Sequence, residues 1–322
     1  TDGKTVPYRR LVLAPGSTFD YFGHPEWEAL APGLKSIDDA SAIRSTILSN
    51  FEKAETSLDP AEQNRLMTTV VVGGGPTGVE MAGSIAELCR WTLARDFRHI
   101  DPSSATVMLV EGMPRLLGGF PDALSDYARS ALERLGVKVV TGQMVEDIRP
   151  GAITLAGEDI PVGMVIWGAG VRANPAAKWL GVEPADRSGR VAVGDDLAVQ
   201  GLDGVHVLGD AALVMGDDGP LPGLAQVAKQ QGEHLGRALA AAIGESAQIP
   251  PFRFKDRGNT AVIGRNAAVF DFGERQLKGR FAWLLWAIVH VYLLMGREKR
   301  ILVTIQWVWR YFTFQRGARI IR

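Results

Sequence analysis

The feature that most limits the fold lies at residues 68–91, which read TTVVV, then GGGPTG, then VEMAGSIAELCRW. Five β-branched residues are too few for a helix, and a short apolar run closed by glycines suits a strand buried on both faces. The apolar residues after the glycines recur with helical spacing. A strand, a glycine turn and a helix in direct succession, followed by the apolar strand ATVMLVEG at 105–112, predict a β-α-β unit with a crossover longer than usual. Further apolar runs ending in glycine at 137–142, 164–170 and 204–210 extend the pattern to a parallel α/β sheet.

The turn itself fits a dinucleotide fingerprint. Gly73 permits the tight bend, Gly75 lets backbone approach a pyrophosphate, and Gly78 lets the helix pack on the strand, with Pro76 and Thr77 between them. The amides of the helix start then face the phosphates. Glu111 ends the next strand, where a carboxylate accepts hydrogen bonds from both ribose hydroxyls of an adenosine and repels a 2'-phosphate, so NADH is expected over NADPH. Arg115, four residues further, is a cation that argues the other way. Glu80 falls in the first helical turn, where it either favours the helix dipole or faces the nicotinamide end.

Composition bears on what else the chain can be. Its 322 residues, 46% hydrophobic and 22% charged, are enough for two domains and exclude wholesale disorder. Cys89 is the sole cysteine, which removes internal disulfides, a redox CxxC pair and multi-cysteine zinc sites, and favours a cytosolic setting. No metal site is expected. The chain opens at Thr1 with no charged and apolar leader after it, so no signal peptide is expected and the sequence reads as a fragment. Residues 10–16, RLVLAPG, predict a short buried strand, and 38–57 a connecting helix beginning at Asp38 and Asp39.

The motifs GGGPTGVE, GVHVLGD, LAQVAKQQG and FKDRGNTAVIGR, in that order and followed by an aromatic, basic tail, closely resemble the type II NADH:quinone oxidoreductases of actinobacterial kind. The resemblance spans essentially the whole chain. It implies a two-dinucleotide-binding-domain flavoprotein, glutathione-reductase-like, with C-terminal amphipathic membrane-anchoring helices, in which non-covalent FAD takes hydride from NADH and passes electrons to a quinone without proton pumping. By the same resemblance Gly209 and Asp210 meet the FAD ribityl and phosphate region, and Ala225, Gln226 and Val227 open a helix facing the flavin pyrimidine. Gln226 and Gln230, four apart on one helix face, line a quinone channel, and Lys255 stands near flavin and quinone. Gly168, Ala169 and Gly170 form the glycine turn after the NADH domain, and Ala14 to Gly16 close on FAD, with Pro15 where the family has threonine.

One fingerprint is present where the family has two, since relatives begin with a further strand and GxGxxG that hold the ADP half of FAD. Either the sequence is a fragment of a complete enzyme or the chain cannot hold FAD. The implied organisation is a remnant of the FAD domain at 1–37, a linker at 38–67, an NADH domain at 68–180, the second part of the FAD domain at 181–250, and a membrane module at 251–322.

The net charge of −1 hides a split, because residues 275–322 carry ten Lys or Arg against Glu298 alone, or +9, leaving −10 elsewhere. The apolar run at 281–295 spans roughly 22 Å as a helix, short of the ~30 Å hydrocarbon core. Trp283, Trp286, Tyr292, Trp307, Trp309 and Tyr311 suit a headgroup boundary. Lys278, Arg280, Arg297, Lys299, Arg300, Arg310, Arg316 and Arg319 suit anionic lipid. Peripheral attachment through 275–322 at the cytoplasmic face of the cell membrane is expected, the bland alternative being a buried helix or a homodimer interface. No nucleic-acid partner is expected. The quinone is expected to be menaquinone. A lone Cys89 excludes sulfide:quinone oxidoreductase and disulfide-reductase chemistry. The reading from another class is a membrane-bound NAD(H)-binding module or sensor.

Overall fold

The computed structural model describes residues 3–94, 96–241, 249–293 and 296–313. Packing divides the chain into two units: Tyr21–Ala169 with Gly258–Arg322, and Thr1–Asp20 with Gly170–Arg257.

In the first unit a four-stranded parallel sheet runs in the order Val137–Thr141, Thr106–Glu111, Thr68–Val72, Met164–Trp167. The β-branched run is a central strand, and all five of its residues are buried, as a strand covered on both faces requires. The helix after the glycine turn starts at Pro76 and stays α-helical to Glu87. A wider π-helical turn, Leu88–Leu93, then buries Cys89 and Leu93 and makes the long crossover. The helix expected from Asp38 begins at Ile37, because the Ser36 hydroxyl accepts from the Asp39 amide at 3.0 Å and the Asp39 carboxylate accepts from the Ser36 amide at 2.8 Å. Ile43, Ile47, Leu48 and Phe51 of that helix belong to the sheet's own core.

The segment whose composition marks it off as a C-terminal module shares this core. An antiparallel sheet of Asn259–Gly264, Ala267–Asp271 and Gln276–Gly279 contributes Ala261, Ile263 and Val269 to it. Gly83 allows the approach, since a Cβ there would stand 1.7 Å from the Ile263 carbonyl oxygen. The change of composition after Pro251 therefore marks a change of outer surface. Helices Arg280–Leu293 and Arg297–Thr313 follow, and no described helix is long and apolar enough to cross a membrane.

In the second unit Leu11–Leu13 pairs in parallel with Val205–Val207. The expected buried strand is only half covered: Val12 is 41% exposed, because the pairing shields one edge of a two-stranded sheet. Ser17–Phe19 pairs with Val171–Ala173, and the helix Ala225–Ala241 packs Leu235 into a core with Val205, Val207 and Ala211.

Candidate functional site

The glycine turn is built by close approach. Gly73 has φ +105°, and a Cβ on it would lie 2.6 Å from the Ala169 amide nitrogen and the Gly168 carbonyl carbon. On Gly78 it would lie 1.7 Å from the Gly73 carbonyl oxygen. Gly168 donates its amide to Val72 at 2.7 Å, so the Gly168–Ala169 turn closes against the fingerprint within one unit. Gly75 differs. Nothing stands within 4 Å of the position its Cβ would take, and it caps the helix that starts with Pro76 and Thr77, both exposed. Open space above a backbone at a helix N-terminus is what a dinucleotide pyrophosphate needs, so these residues fit NADH.

Glu111 stands beside the turn and supports it. One carboxylate oxygen accepts from the Gly74 amide at 2.5 Å and the other from the Met113 amide at 2.7 Å. Each oxygen keeps a further lone pair for a ribose hydroxyl. Gly74, overlooked in the sequence because it falls between fingerprint positions, is needed for this contact: a Cβ there would meet Leu116 at 2.7 Å and Glu111 at 2.9 Å. Arg115 is ion-paired with Asp122 and reaches the Gly118 carbonyl at 3.3 Å, so the cation that argues for a phosphate is engaged by the following loop.

Glu80 lies on the half-buried face of its helix and accepts from the Val262 amide at 3.0 Å. Burial pushes its carboxyl upward, against the opposing pull of that hydrogen bond and of His290. Its carboxylate is thus turned to the Val262 backbone, a contact that neither the helix-dipole setting nor the nicotinamide setting included. Two helical turns later Glu87 is also pushed up by burial while its carboxylate accepts from the Arg265 amide.

In the other unit, the two turns assigned to FAD meet. The hydroxyl of Ser17, the last residue of the Ala14–Ser17 turn, donates to the Asp210 carboxylate at 2.6 Å. Gly16 and Gly209 both take left-handed φ, +70° and +71°, and nothing lies within 4 Å of a Cβ on Gly16. Pro15, where a family threonine is missing, accepts through its carbonyl from the Asn174 side chain at 2.7 Å, and Gly16 accepts from the Asn174 amide at 3.0 Å. Gly170 takes φ +69° and its carbonyl accepts from the Asp20 amide at 3.3 Å. The Gly209 amide is held by Gln231, 1% exposed, at 2.7 Å. Open backbone at Gly16 beside a fixed carboxylate fits a sugar and phosphate ligand. Asn174 and Gln231 had no signal in the sequence, since their partners lie far along the chain or in another element.

The helix Ala225–Ala241 corrects two expectations. Gln226 and Gln230 do share a face, but their amides clamp the irregular Lys255–Arg257 segment of their own unit instead of standing open to a channel. Gln230 exchanges two hydrogen bonds with the Lys255 backbone, at 2.9 and 3.0 Å, and Gln226 accepts from the Arg257 amide at 3.1 Å and donates to Asp256 at 3.2 Å. Lys255 is thereby fixed in backbone and exposed in side chain. Val227, expected to meet the cofactor, is 3% exposed and its amide donates to the Leu224 carbonyl at 2.9 Å, so it is a core residue. Ala225 stands exposed at the helix start.

A family described as pyridine nucleotide-disulphide oxidoreductase matches residues 1–232. The type II NADH:quinone oxidoreductase Ndh of Mycobacterium tuberculosis is 38% identical over 326 residues, covering 98% of this chain and 70% of that protein. The chain belongs to the type II NADH:quinone oxidoreductases. An internal alternative NAD(P)H-ubiquinone oxidoreductase A1 of Arabidopsis thaliana mitochondria is 30% identical, over 98% of this chain and 65% of that one. In fold, NDH2 from Plasmodium falciparum in complex with NADH superposes with a TM-score of 0.88 at 21% identity, over 97% of this chain and 79% of the other. Cys89 is the one cysteine of this sequence, and burial pushes its thiol up to about 12.

Proposed function

We propose that this chain oxidises NADH and reduces a membrane quinone, menaquinone by its actinobacterial look, without proton pumping, while attached peripherally at the cytoplasmic face of the membrane. The observation that carries the reading is Gly75, an open backbone position at a helix start, beside a Glu111 whose oxygens already hold the turn. In this reading Gly73, Gly75, Pro76, Thr77 and Gly78 seat the NADH pyrophosphate and Glu111 accepts from the adenosine ribose. Ala14, Gly16, Gly209 and Asp210 hold FAD, which when bound accepts hydride and delivers electrons singly or in pairs. Ser17 keeps Asp210 oriented, and Gln231 fixes the Gly209 amide.

Glu80, with its carboxyl raised by burial, is suited to hold a proton near the reacting end of the nucleotide. Gln226 and Gln230 act as positioning residues: they fix the backbone that carries Lys255, whose ammonium lies at the surface for an anionic or developing charge. Attachment to the bilayer is supported by exposed apolar stripes at helical spacing. Phe281, Leu284, Ile288 and Tyr292 form one, and Ile301, Ile305, Val308 and Trp309 the other, all more than half exposed. Arg316 and Arg319 of the basic tail lie outside the described residues, as do the side chains of Arg297 and Arg310.

The test is the visible absorption of the purified chain before and after anaerobic addition of NADH, followed by addition of a soluble menaquinone. A flavin band bleached by NADH and restored by quinone is the expected result. A colourless chain that still binds NADH leaves two readings, a fragment whose FAD needs a further N-terminal segment and an NAD(H)-binding module, and a chain that binds neither overturns the proposal.

A further inference from the structure

The two C-terminal helices form an antiparallel pair. Trp283 meets Tyr311 at 5.4 Å between ring centroids, Trp286 stacks on Trp307 at 5.4 Å and 5°, and Arg300 lies over the Tyr292 ring at 5.1 Å. The pair is fastened at the Tyr311 end. Its hydroxyl donates to the Asn266 side chain at 3.1 Å, and the Arg265 guanidinium both donates to the Tyr311 carbonyl and covers its ring at 4.3 Å. Along the pair runs a groove of about 680 Å³, within the range of small-molecule sites. Its walls include Leu284, Ala287, Ile288, Val291 and Val308, and Asn266 and Arg280 line it as well.

We propose that this groove seats one anionic phospholipid, with an acyl chain between the helices and the phosphate at Arg280 and Asn266. The inference rests on the peripheral attachment argued above and deepens it, from a surface that touches lipid to a site that binds one molecule of it. Three observations select this occupant. The walls are aliphatic and aromatic, so they accept a hydrocarbon chain. The Tyr311 end presents a guanidinium and a carboxamide, donors for a phosphodiester, and residues 275–322 around it carry +9, which favours a headgroup of net negative charge over zwitterionic phosphatidylcholine. The walls carry Leu284, Ile288 and Tyr292, which are also members of the exposed stripe, so the groove opens on the face that meets the bilayer.

The experiment takes the full chain, reconstituted into vesicles of equal parts phosphatidylglycerol and phosphatidylcholine, and then extracted in mild detergent for native mass spectrometry. Wild type is expected to retain one phosphatidylglycerol per chain. Ala287→Trp, which fills the groove, and Arg280→Ala, which removes the phosphate donor, are expected to lower retention at least about tenfold. Both variants are expected still to sediment with the same vesicles. Equal retention by the variants, retention of phosphatidylcholine in place of phosphatidylglycerol, or a lipid-free dimer closed over the groove overturns the proposal. If wild type fails to sediment with vesicles at all, the peripheral attachment has failed first. Circular dichroism of Ala287→Trp and Arg280→Ala matching wild type excludes unfolding as the cause of lost lipid.

Discussion

The glycine turn at 73–78 and the helix pair at 280–313 belong to one packed unit, yet they are finished to different degrees. At the turn, backbone closes on backbone: Gly78 sits on the Gly73 carbonyl and Gly73 on the Gly168–Ala169 peptide, leaving only Gly75 facing open space. At the helix pair the interior face is settled by Trp283, Leu285 and Trp286 against Ala268 and Phe270, while whole apolar stripes stay exposed. A region completed by its own chain leaves one opening for a small ligand. A region that exposes large apolar side chains at helical spacing needs an extended partner.

The largest expected effect tests the first half of this contrast. Gly78→Ala forces the turn apart, so NADH affinity should fall by about a hundredfold or more and stability by about 1–3 kcal/mol. Gly75→Ala places its methyl in open space, so its thermal unfolding should match wild type while NADH affinity still falls. NADH titration and calorimetry on both variants check this. Equal loss of stability in the two would break the distinction between a packed and an open glycine.

The second half is tested at the exposed stripe. Ile301→Glu with Ile305→Glu should reduce sedimentation with anionic vesicles by about tenfold and leave the unfolding temperature unchanged, because both residues are about 60% exposed. Deleting the whole tail from 275 is the wrong probe. It removes Gln276–Gly279, which pairs with Ala267–Asp271 in the sheet that feeds the core.

A smaller effect is expected at Glu111. Glu111→Ala should weaken NADH binding by about tenfold and narrow the preference over NADPH, with Glu111→Gln intermediate, since an amide nitrogen, a donor, replaces one of the two acceptors that hold Gly74 and Met113. Unchanged selectivity in both variants would limit Glu111 to holding the turn.

What the sequence made legible follows the same division. The turn was readable because its determinants are adjacent: five β-branched residues, three spaced glycines and a helix, all within 24 positions from Thr68 to Trp91. The parallel sheet followed from repeated short apolar runs. What escaped are contacts whose partners lie far apart. Asn174 bracing Pro15, Gly83 admitting Ile263, and Glu80 holding Val262 join segments separated by more than a hundred residues. Spacing also misled where it was right. Gln226 and Gln230 share a helix face as their separation requires, but that face meets the Lys255–Arg257 backbone, and nothing local in AQVAKQ says so.

The smallest effect sharpens the comparison at its border, where the helix of the turn touches the C-terminal sheet. Glu80 bonds to the Val262 amide there, and burial raises its carboxyl above the ordinary range. With a folded pKa above the unfolded one, its contribution to stability is fully present below the unfolded value, near 4.5, and is lost as pH rises through the folded value. Glu80→Gln can still accept from Val262 and carries no charge to desolvate. Its unfolding temperature should therefore equal that of wild type below pH 4.5 and exceed it by a few degrees at neutral pH. NADH oxidation by the same variant should fall. A chain that keeps a carboxylate where an amide is more stable keeps it for its chemistry, whereas a variant both more stable and fully active would make Glu80 a structural contact between helix and sheet.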